Sequence, residues 1–218
     1  METRKFEIAI LAAGDFPRHK IPLRRLHGAD AVVCCDSAYL GYMSHSMDDG
    51  RCVVVGDGDS LPLAVREALG DRFVCIEEQD YNDLHKAVAY AVGRWGGVDL
   101  RISIFGATGK REDHTIGNIS YLAYLSEQCP DVEFEMLTDY GRFVSFRGHR
   151  QFDSFARQQV SIFTASPDVE VSGVGLEYPL QRLKLRHWYN GTLNSALGNS
   201  FELMGEGWIT VFQTYEAK

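Results

Sequence analysis

Asp57 and Asp59 stand two apart with a glycine between them, in Gly56-Asp57-Gly58-Asp59-Ser60. In an extended loop residues i and i+2 face the same way, and two carboxylates so placed repel unless a hard cation lies between them. Mg²⁺ is such a cation, bound by one or two carboxylates together with phosphate oxygens. The same residues also suit an Asp-Gly turn in which Asp59 or Ser60 caps a following helix. Asp36, placed before another helical stretch, carries the same two readings. Asn82, Asp83 and Lys86 open a further helix: Asn82 suits its cap, Asp83 the positive end of its dipole, and Lys86 the face that Asp83 occupies. A surface ion pair satisfies that spacing, as does a metal or phosphate paired with a cation. A lysine in the first turn opposes the macrodipole, which favours the second reading.

A glycine-rich segment adds cations. Gly106-Ala107-Thr108-Gly109-Lys110-Arg111-Glu112-Asp113-His114 contains Gly-Lys, but Ile104 stands where a Walker A loop needs its first glycine, and Arg111 where it needs Ser or Thr. What remains is a loop whose backbone amides and guanidinium can hold phosphates, followed by Asp113 and His114 at a helix start. His114 also reads as an ordinary polar residue of a first helical turn. Gly56-Asp57-Gly58 is no dinucleotide fingerprint, since Leu61 occupies the third glycine's place.

These residues need a frame that brings them together, and the first two-thirds of the chain supplies one. Continuous apolar runs over Phe6–Ala13, Ala31–Cys35, Cys52–Val55, Phe73–Ile76, Arg101–Phe105 and Val132–Thr138 read as buried strands. Helical patterns over Asp36–Met47, Pro62–Leu69, Asn82–Trp95 and Asp113–Leu125 lie between them. Such alternation predicts a mostly parallel sheet flanked by helices on both faces. In that architecture ligands bind beyond the carboxyl ends of the strands, where Gly14, Asp36, Asp57, Asp59, Gln79, Asn82, Asp83 and the Gly106–His114 loop fall. From about Tyr140 the pattern changes to period two over Arg142–Arg147, Gln159–Thr164, Val169–Val174 and Trp208–Phe212, without a long helix. That predicts a second, antiparallel β-sandwich domain. The expected organisation is an α/β domain over residues 1–142 and the sandwich over 143–218.

Composition narrows the partners. With 218 residues, 45% hydrophobic and 24% charged, the chain is an ordinary globular one, long enough to bury its cores without disulfides. A net charge of -8 argues against nonspecific binding to nucleic acid or anionic membrane, and it means that a bound polyphosphate calls for metal ions. No apolar run approaches a membrane span, and Met1-Glu2-Thr3-Arg4-Lys5 leads into no secretory signal. Five cysteines without a C-x-x-C pair read as reduced core thiols, so a cytoplasmic location is expected.

In order along the chain, Asp36-Ser37-Ala38, Gly56-Asp57-Gly58-Asp59-Ser60, Gln79-Asp80-Tyr81-Asn82-Asp83-Leu84-His85-Lys86 and Gly106 through His114 resemble the four motifs of the thiamin pyrophosphokinase (thiamin diphosphokinase) family. Gly175-Leu176-Glu177-Tyr178-Pro179-Leu180 is similar to a segment of that family's thiamin-binding β domain, and Gly198-Asn199 to its late Ser-Asn motif. Departures are Ser37 and Ala38 for two glycines, Gly58 for Phe, Asn82 for Thr, Lys110 for Gly, and Gly198 for Ser, with Ser195 a nearby substitute. The resemblance implies transfer of the pyrophosphoryl group of ATP to the hydroxyl of thiamin, giving thiamin diphosphate and AMP with Mg²⁺. It implies Asp36, Asp57, Asp59 and Asp83 as metal ligands, and Asp57, Asp59, Asp83 and Arg111 as the catalytic set. Gly14, Asp36, Asn82, Lys86, Gly106, Gly109, Arg111, Asp113 and His114 would bind ATP, and Gln79, Ser195 and Asn199 thiamin. It further implies a homodimer whose sites are shared, with Asn199 acting on the partner's site. Two alternatives from other classes are a non-catalytic nucleotide- or thiamin-binding regulator and a Mg²⁺-dependent phosphohydrolase on the same fold.

Overall fold

The computed structural model describes residues 4–217, so the reading of the extreme N-terminus as free of a signal rests partly on residues outside those described. The chain separates into two compact units. One holds the residues through Ile116 together with Asp131–Glu133 and Leu137–Asp139; the other holds Gly117–Pro130, Phe134–Met136 and the chain from Tyr140 onward.

The first unit is built on the parallel strands β1 (Phe6–Leu11), β2 (Ala31–Cys35), β3 (Cys52–Gly56), β4 (Phe73–Cys75) and β5 (Leu100–Phe105), in the spatial order β5-β1-β2-β3-β4. All five residues of β2 are buried, as the continuous apolar pattern requires of a strand covered on both faces. Alternate residues sort the helices. Ala9, Leu11, Val32, Cys34, Cys52 and Val54 pack with Leu26 of α1 (Lys20–Gly28), Tyr39 and Tyr42 of α2 (Ala38–Ser44) and Leu69 of α3 (Leu63–Leu69). The opposite face is left to α4 (Asp83–Trp95), which contacts β1, β2 and β3. The chain thus steps from β1 outward to β4 with its crossovers on one face, then returns through α4 to place β5 on the other side of β1. The direction reverses between β1 and β5, which makes that gap the topological switch point of the sheet.

Three local expectations change. α1 is absent from the apolar pattern, because Lys20, Arg24, Arg25 and His27 interrupt it; it starts at His19, whose Nδ1 accepts from the Ile21 amide. Ser60 does not cap α3, whose N-cap is Pro62. Asp36 does not cap α2 either, since Ser37 takes that position without a side-chain bond. α4 begins as expected, with the Asn82 side chain accepting from the His85 amide at 2.9 Å. α5 (Glu112–Gln128) and β6 (Val132–Leu137) follow.

The C-terminal unit is antiparallel, with β7 (Gly141–Asp153), β8 (Gln158–Thr164), β9 (Glu170–Val174), β10 (Leu180–Lys184), β11 (Asn194–Ser195) and β12 (Ser200–Ala217). β7 and β12 run far beyond the segments read from the sequence, and β10 and the two-residue β11 are additional. β12 pairs with β7 along both its halves, but its register breaks between Gly205 and Ile209. Before the break it pairs with β9, and after it with β8. A strand that changes neighbours at a bulge turns the corner between two layers. Val144, Phe146, Val160, Ile162, Phe201, Leu203, Ile209 and Val211 fill the interior at the expected period of two.

Candidate active site

The ends of β2 and β3 are adjacent because the strands pair, and the chain brings three carboxylates to that point. Ligating oxygens of Asp36, Asp57 and Asp59 all lie within 4.8 Å of one another. Asp36 is held in the left-handed region at φ 38°, where Asp is one of the few side chains tolerated, and its amide donates to the Val55 carbonyl at 2.9 Å. Gly56 makes that approach feasible, since a Cβ there would lie 2.8 Å from the Asp36 Cβ. The Asp36 side chain is buried; its Oδ2 accepts from the Ser60 amide at 3.2 Å, while Oδ1 has no hydrogen-bond partner. Burial pushes its carboxyl up, and Asp83 and Asp57 push it further against the Ser60 bond. Ser60, read from the sequence as a cap, instead links two acids, its hydroxyl donating to Asp59 Oδ1 at 2.8 Å.

Gln79 lies beyond β4, and its amide donates to Asp57 Oδ2 at 3.0 Å; that bond, ahead of the Asp59 amide, holds the Asp57 carboxyl below its ordinary value. Asp83 is outside the tight group of three. Its carboxylate pairs with Lys86 Nζ at 3.7 Å, one turn along α4, and the lysine side chain is only 4% exposed. Burial raises Asp83, Lys86 opposes the rise, and Asp57 and Asp59 add to it, so the four acids share one electrostatic neighbourhood.

The glycine loops meet each other across the switch point. Gly14 donates to Gly106 O at 2.7 Å, and Asp15 to Thr108 O at 2.9 Å. A Cβ on Gly14 would fall 2.3 Å from Gly106 O, and one on Gly109 would strike the Asp15 carboxylate, so both glycines serve loop–loop packing here. Lys110 Nζ donates to Ala13 O at 2.7 Å. Arg111 and Asp113 form an exposed two-point ion pair at 3.1 and 2.5 Å, which lowers the Asp113 carboxyl to about 2. His114 is exposed, with its amide donating to Asp113 Oδ1.

Ser195 and Asn199 lie in the C-terminal unit. Ser195 pairs with Gln159 across β11 and β8, and the exposed Asn199 offers its carbonyl to the Ser154 amide. Asn194 is a polar residue the sequence pattern does not expose. It is buried, donates to Tyr178 O at 2.8 Å, and accepts from the amides of Tyr178 and Ser195, tying the Gly175–Leu180 segment to β11. Around it Val174, Tyr178, Leu193 and Leu197 are each more than 60% exposed, an apolar surface without cover in one chain.

An acidic cluster on the carboxyl rim of a doubly wound sheet, in a chain that also carries an antiparallel β unit, has the donor chemistry of a site for a hard cation. Residues 23–134 match the family model "Thiamin pyrophosphokinase, catalytic domain", and residues 141–212 match "Thiamin pyrophosphokinase, substrate-binding domain". The chain belongs to the thiamin pyrophosphokinase family and is an enzyme of that kind. Its fold is similar to that of thiamin pyrophosphokinase from yeast (TM-score 0.81, 14% identity, 98% of this chain and 88% of that one). It is likewise similar to the enzymes from Candida albicans (0.77, 16%, 97% and 93%) and Geobacillus thermodenitrificans (0.76, 22%, 96% and 98%). No curated protein matches by sequence. Among the described residues, no helix is long and apolar enough to cross a membrane.

Proposed function

We propose that the protein transfers the pyrophosphoryl group of ATP intact to the hydroxyethyl oxygen of thiamin, releasing AMP, in a Mg²⁺-dependent reaction. The observation that carries this reading is the buried Asp36 carboxylate, with one oxygen unpartnered and with Asp57 and Asp59 within reach of a common ion. An orphaned, desolvated carboxylate oxygen is costly unless a cation takes it, so the donor set fits a hard divalent ion. Asp36, Asp57 and Asp59 would hold it, with Asp83 in the same electrostatic neighbourhood as a further ligand. When bound, Mg²⁺ neutralises polyphosphate charge and polarises the phosphorus under attack.

The remaining work falls to the chain. Lys86 sets a buried positive charge against Asp83 and offsets phosphate charge as ATP enters. Gln79 holds Asp57 through its side-chain amide and would orient thiamin. Arg111, exchanging Asp113 for a phosphate, holds the polyphosphate together with Lys110 and the amides of the Gly106–Gly109 loop. Asn82 fixes the helix start, and Asp113 and His114 complete the nucleotide side. Ser195 and Asn199 bind thiamin; the uncovered apolar surface beside them supports a homodimer in which one chain's β unit serves its partner's carboxylates. Five free cysteines accord with a cytoplasmic location.

Incubation with ATP and Mg²⁺, with and without thiamin, tests the reading. Thiamin-dependent AMP is the expected result. Thiamin-independent hydrolysis would make the protein a phosphohydrolase, and binding without turnover would make it a regulator.

A further inference from the structure

The loop that leads from β4 into α4 holds an aromatic pair that the reaction as described does not use. Tyr81 precedes the Asn82 cap, and His85 lies one turn into α4. Their rings are parallel within 11° at a centroid separation of 4.0 Å. A tyrosine that merely stapled the helix end would be buried against apolar neighbours, whereas Tyr81 stays 52% exposed. His85 backs the ring and fixes its plane, leaving aromatic surface open on the segment that carries Gln79 and Asp83.

Charge and topology point to what covers it. Glu77, Glu78 and Asp80 flank Tyr81, are all exposed, and have no cation among them. At the opposite side of the rim, after β5, stand Lys110 and Arg111. The strand order β5-β1-β2-β3-β4 therefore runs from a loop that carries two cations, one of them paired with Asp113, through the carboxylates after β2 and β3, to an acidic aromatic end after β4. A polyanion belongs at the first and a cation at the last. In-line displacement puts the leaving and attacking oxygens on opposite sides of phosphorus, so a nucleotide lying toward β5 draws its acceptor from the β4 side. Thiamin's thiazolium ring is cationic and carries the hydroxyethyl arm directly, which makes it the ring nearest the reacting oxygen.

We infer that Tyr81, backed by His85, is the platform on which the thiazolium ring of thiamin rests, and that it is a specificity-determining residue for the acceptor. The inference rests on the proposed thiamin pyrophosphokinase reading. A cation over a tyrosine face is attracted by the ring quadrupole as well as by dispersion.

The test measures equilibrium binding by calorimetry and steady-state KM for wild type, Tyr81→Ala, Tyr81→Leu and Tyr81→Phe. Ligands are thiamin, a neutral thiophene analogue in which carbon replaces the charged thiazolium nitrogen, and a non-hydrolysable ATP analogue. Tyr81→Ala and Tyr81→Leu should weaken thiamin about tenfold, near the middle of the range for a cation over an aromatic face. The ATP analogue should move less than twofold. Tyr81→Phe, which keeps the ring, should recover most of the loss. The neutral analogue should bind wild type more weakly than thiamin and should lose less than thiamin does on Tyr81→Ala, since only the dispersion part remains to be lost. Unchanged melting temperatures show that the exposed substitution leaves the fold intact. Equal losses for thiamin and the ATP analogue, no loss for thiamin, or an equal loss for the neutral analogue would each overturn the inference. If wild type forms thiamin diphosphate while Tyr81→Ala binds thiamin normally, only the platform fails. If wild type forms none, the functional reading falls and takes the platform with it.

Discussion

Replacing Asp36 with Asn should raise the protein's stability while removing its activity. The carboxylate is 3% exposed, one of its oxygens is unpartnered, and acidic oxygens of Asp57 and Asp59 lie within 4.8 Å. At that distance a like-charge pair costs ~3 kcal/mol at an effective dielectric of 20, and ~1 kcal/mol where water screens it, as it does at the exposed Asp59. Asn keeps an acceptor for the Ser60 amide, although a neutral acceptor is weaker by about 1 kcal/mol. It also tolerates φ 38° as well as Asp does. The balance is a metal-free protein more stable by about 1 kcal/mol, which for a chain of this size is a melting temperature ~2–4 °C higher. Mg²⁺-dependent turnover should fall at least ~100-fold, and added Mg²⁺ should stabilise the variant less than wild type. Thermal melts with and without Mg²⁺, alongside the AMP assay, read all three effects. A lower metal-free melting temperature, or turnover near wild type, would refute the claim that Asp36 is an uncompensated buried charge kept for a cation.

Asp57→Asn or Asp59→Asn should lower turnover at least ~100-fold while leaving the metal-free protein at least as stable as wild type, because each change relieves one like-charge pair with Asp36 at an accessible strand end; normal metal dependence in both would remove them as ligands. Asp48 accepts from the Tyr39 hydroxyl at 2.5 Å and from Arg72 at 2.9 Å, and although burial alone would raise its carboxyl, these partners hold it below the ordinary value. A depressed folded value means stability that is present above the unfolded value of about 3.9 and is lost as the pH falls through the folded one. Asp48→Asn should therefore cost about 1–3 kcal/mol at pH 7, and the gap from wild type should narrow in denaturant melts as the pH falls below the unfolded value of about 3.9. Mixing Asp59→Asn with Asn199→Ala chains should restore up to about a quarter of all sites if sites are shared between chains, since half the dimers are mixed and each has one undamaged site. With both parents inactive and subunit exchange shown by mass spectrometry, a mixture that stays inactive would place each site within one chain.

The parallel sheet was legible because strands such as Ala31–Cys35 are buried on both faces and leave unbroken apolar runs. The gathering of Asp36, Asp57 and Asp59 was legible for a related reason: strand ends in such a sheet share one rim. What stayed hidden depends on contacts between segments distant in sequence. Basic residues mask α1. Gly205 and the register break beside it split β12 into halves that look unrelated, so only its second half carried a strand signal. Gly14 and Gly109 read as room for a ligand, yet their space is taken by the neighbouring loop. Gly56 looked like part of a turn, whereas the reversed backbone of Asp36 is what requires it. Ser60 had the right type for a cap and lies instead between two carboxylates, which no local pattern distinguishes.

The most direct measurement follows the phosphorus atoms. ATP labelled with ¹⁸O on both the β- and γ-phosphoryl groups is incubated with the protein, Mg²⁺ and thiamin, and the products are weighed by mass spectrometry. The account predicts thiamin diphosphate carrying both labelled groups, formed one-for-one with AMP whose α-phosphate is unlabelled. Thiamin monophosphate formed with ADP, or labelled pyrophosphate released without any thiamin product, would contradict it.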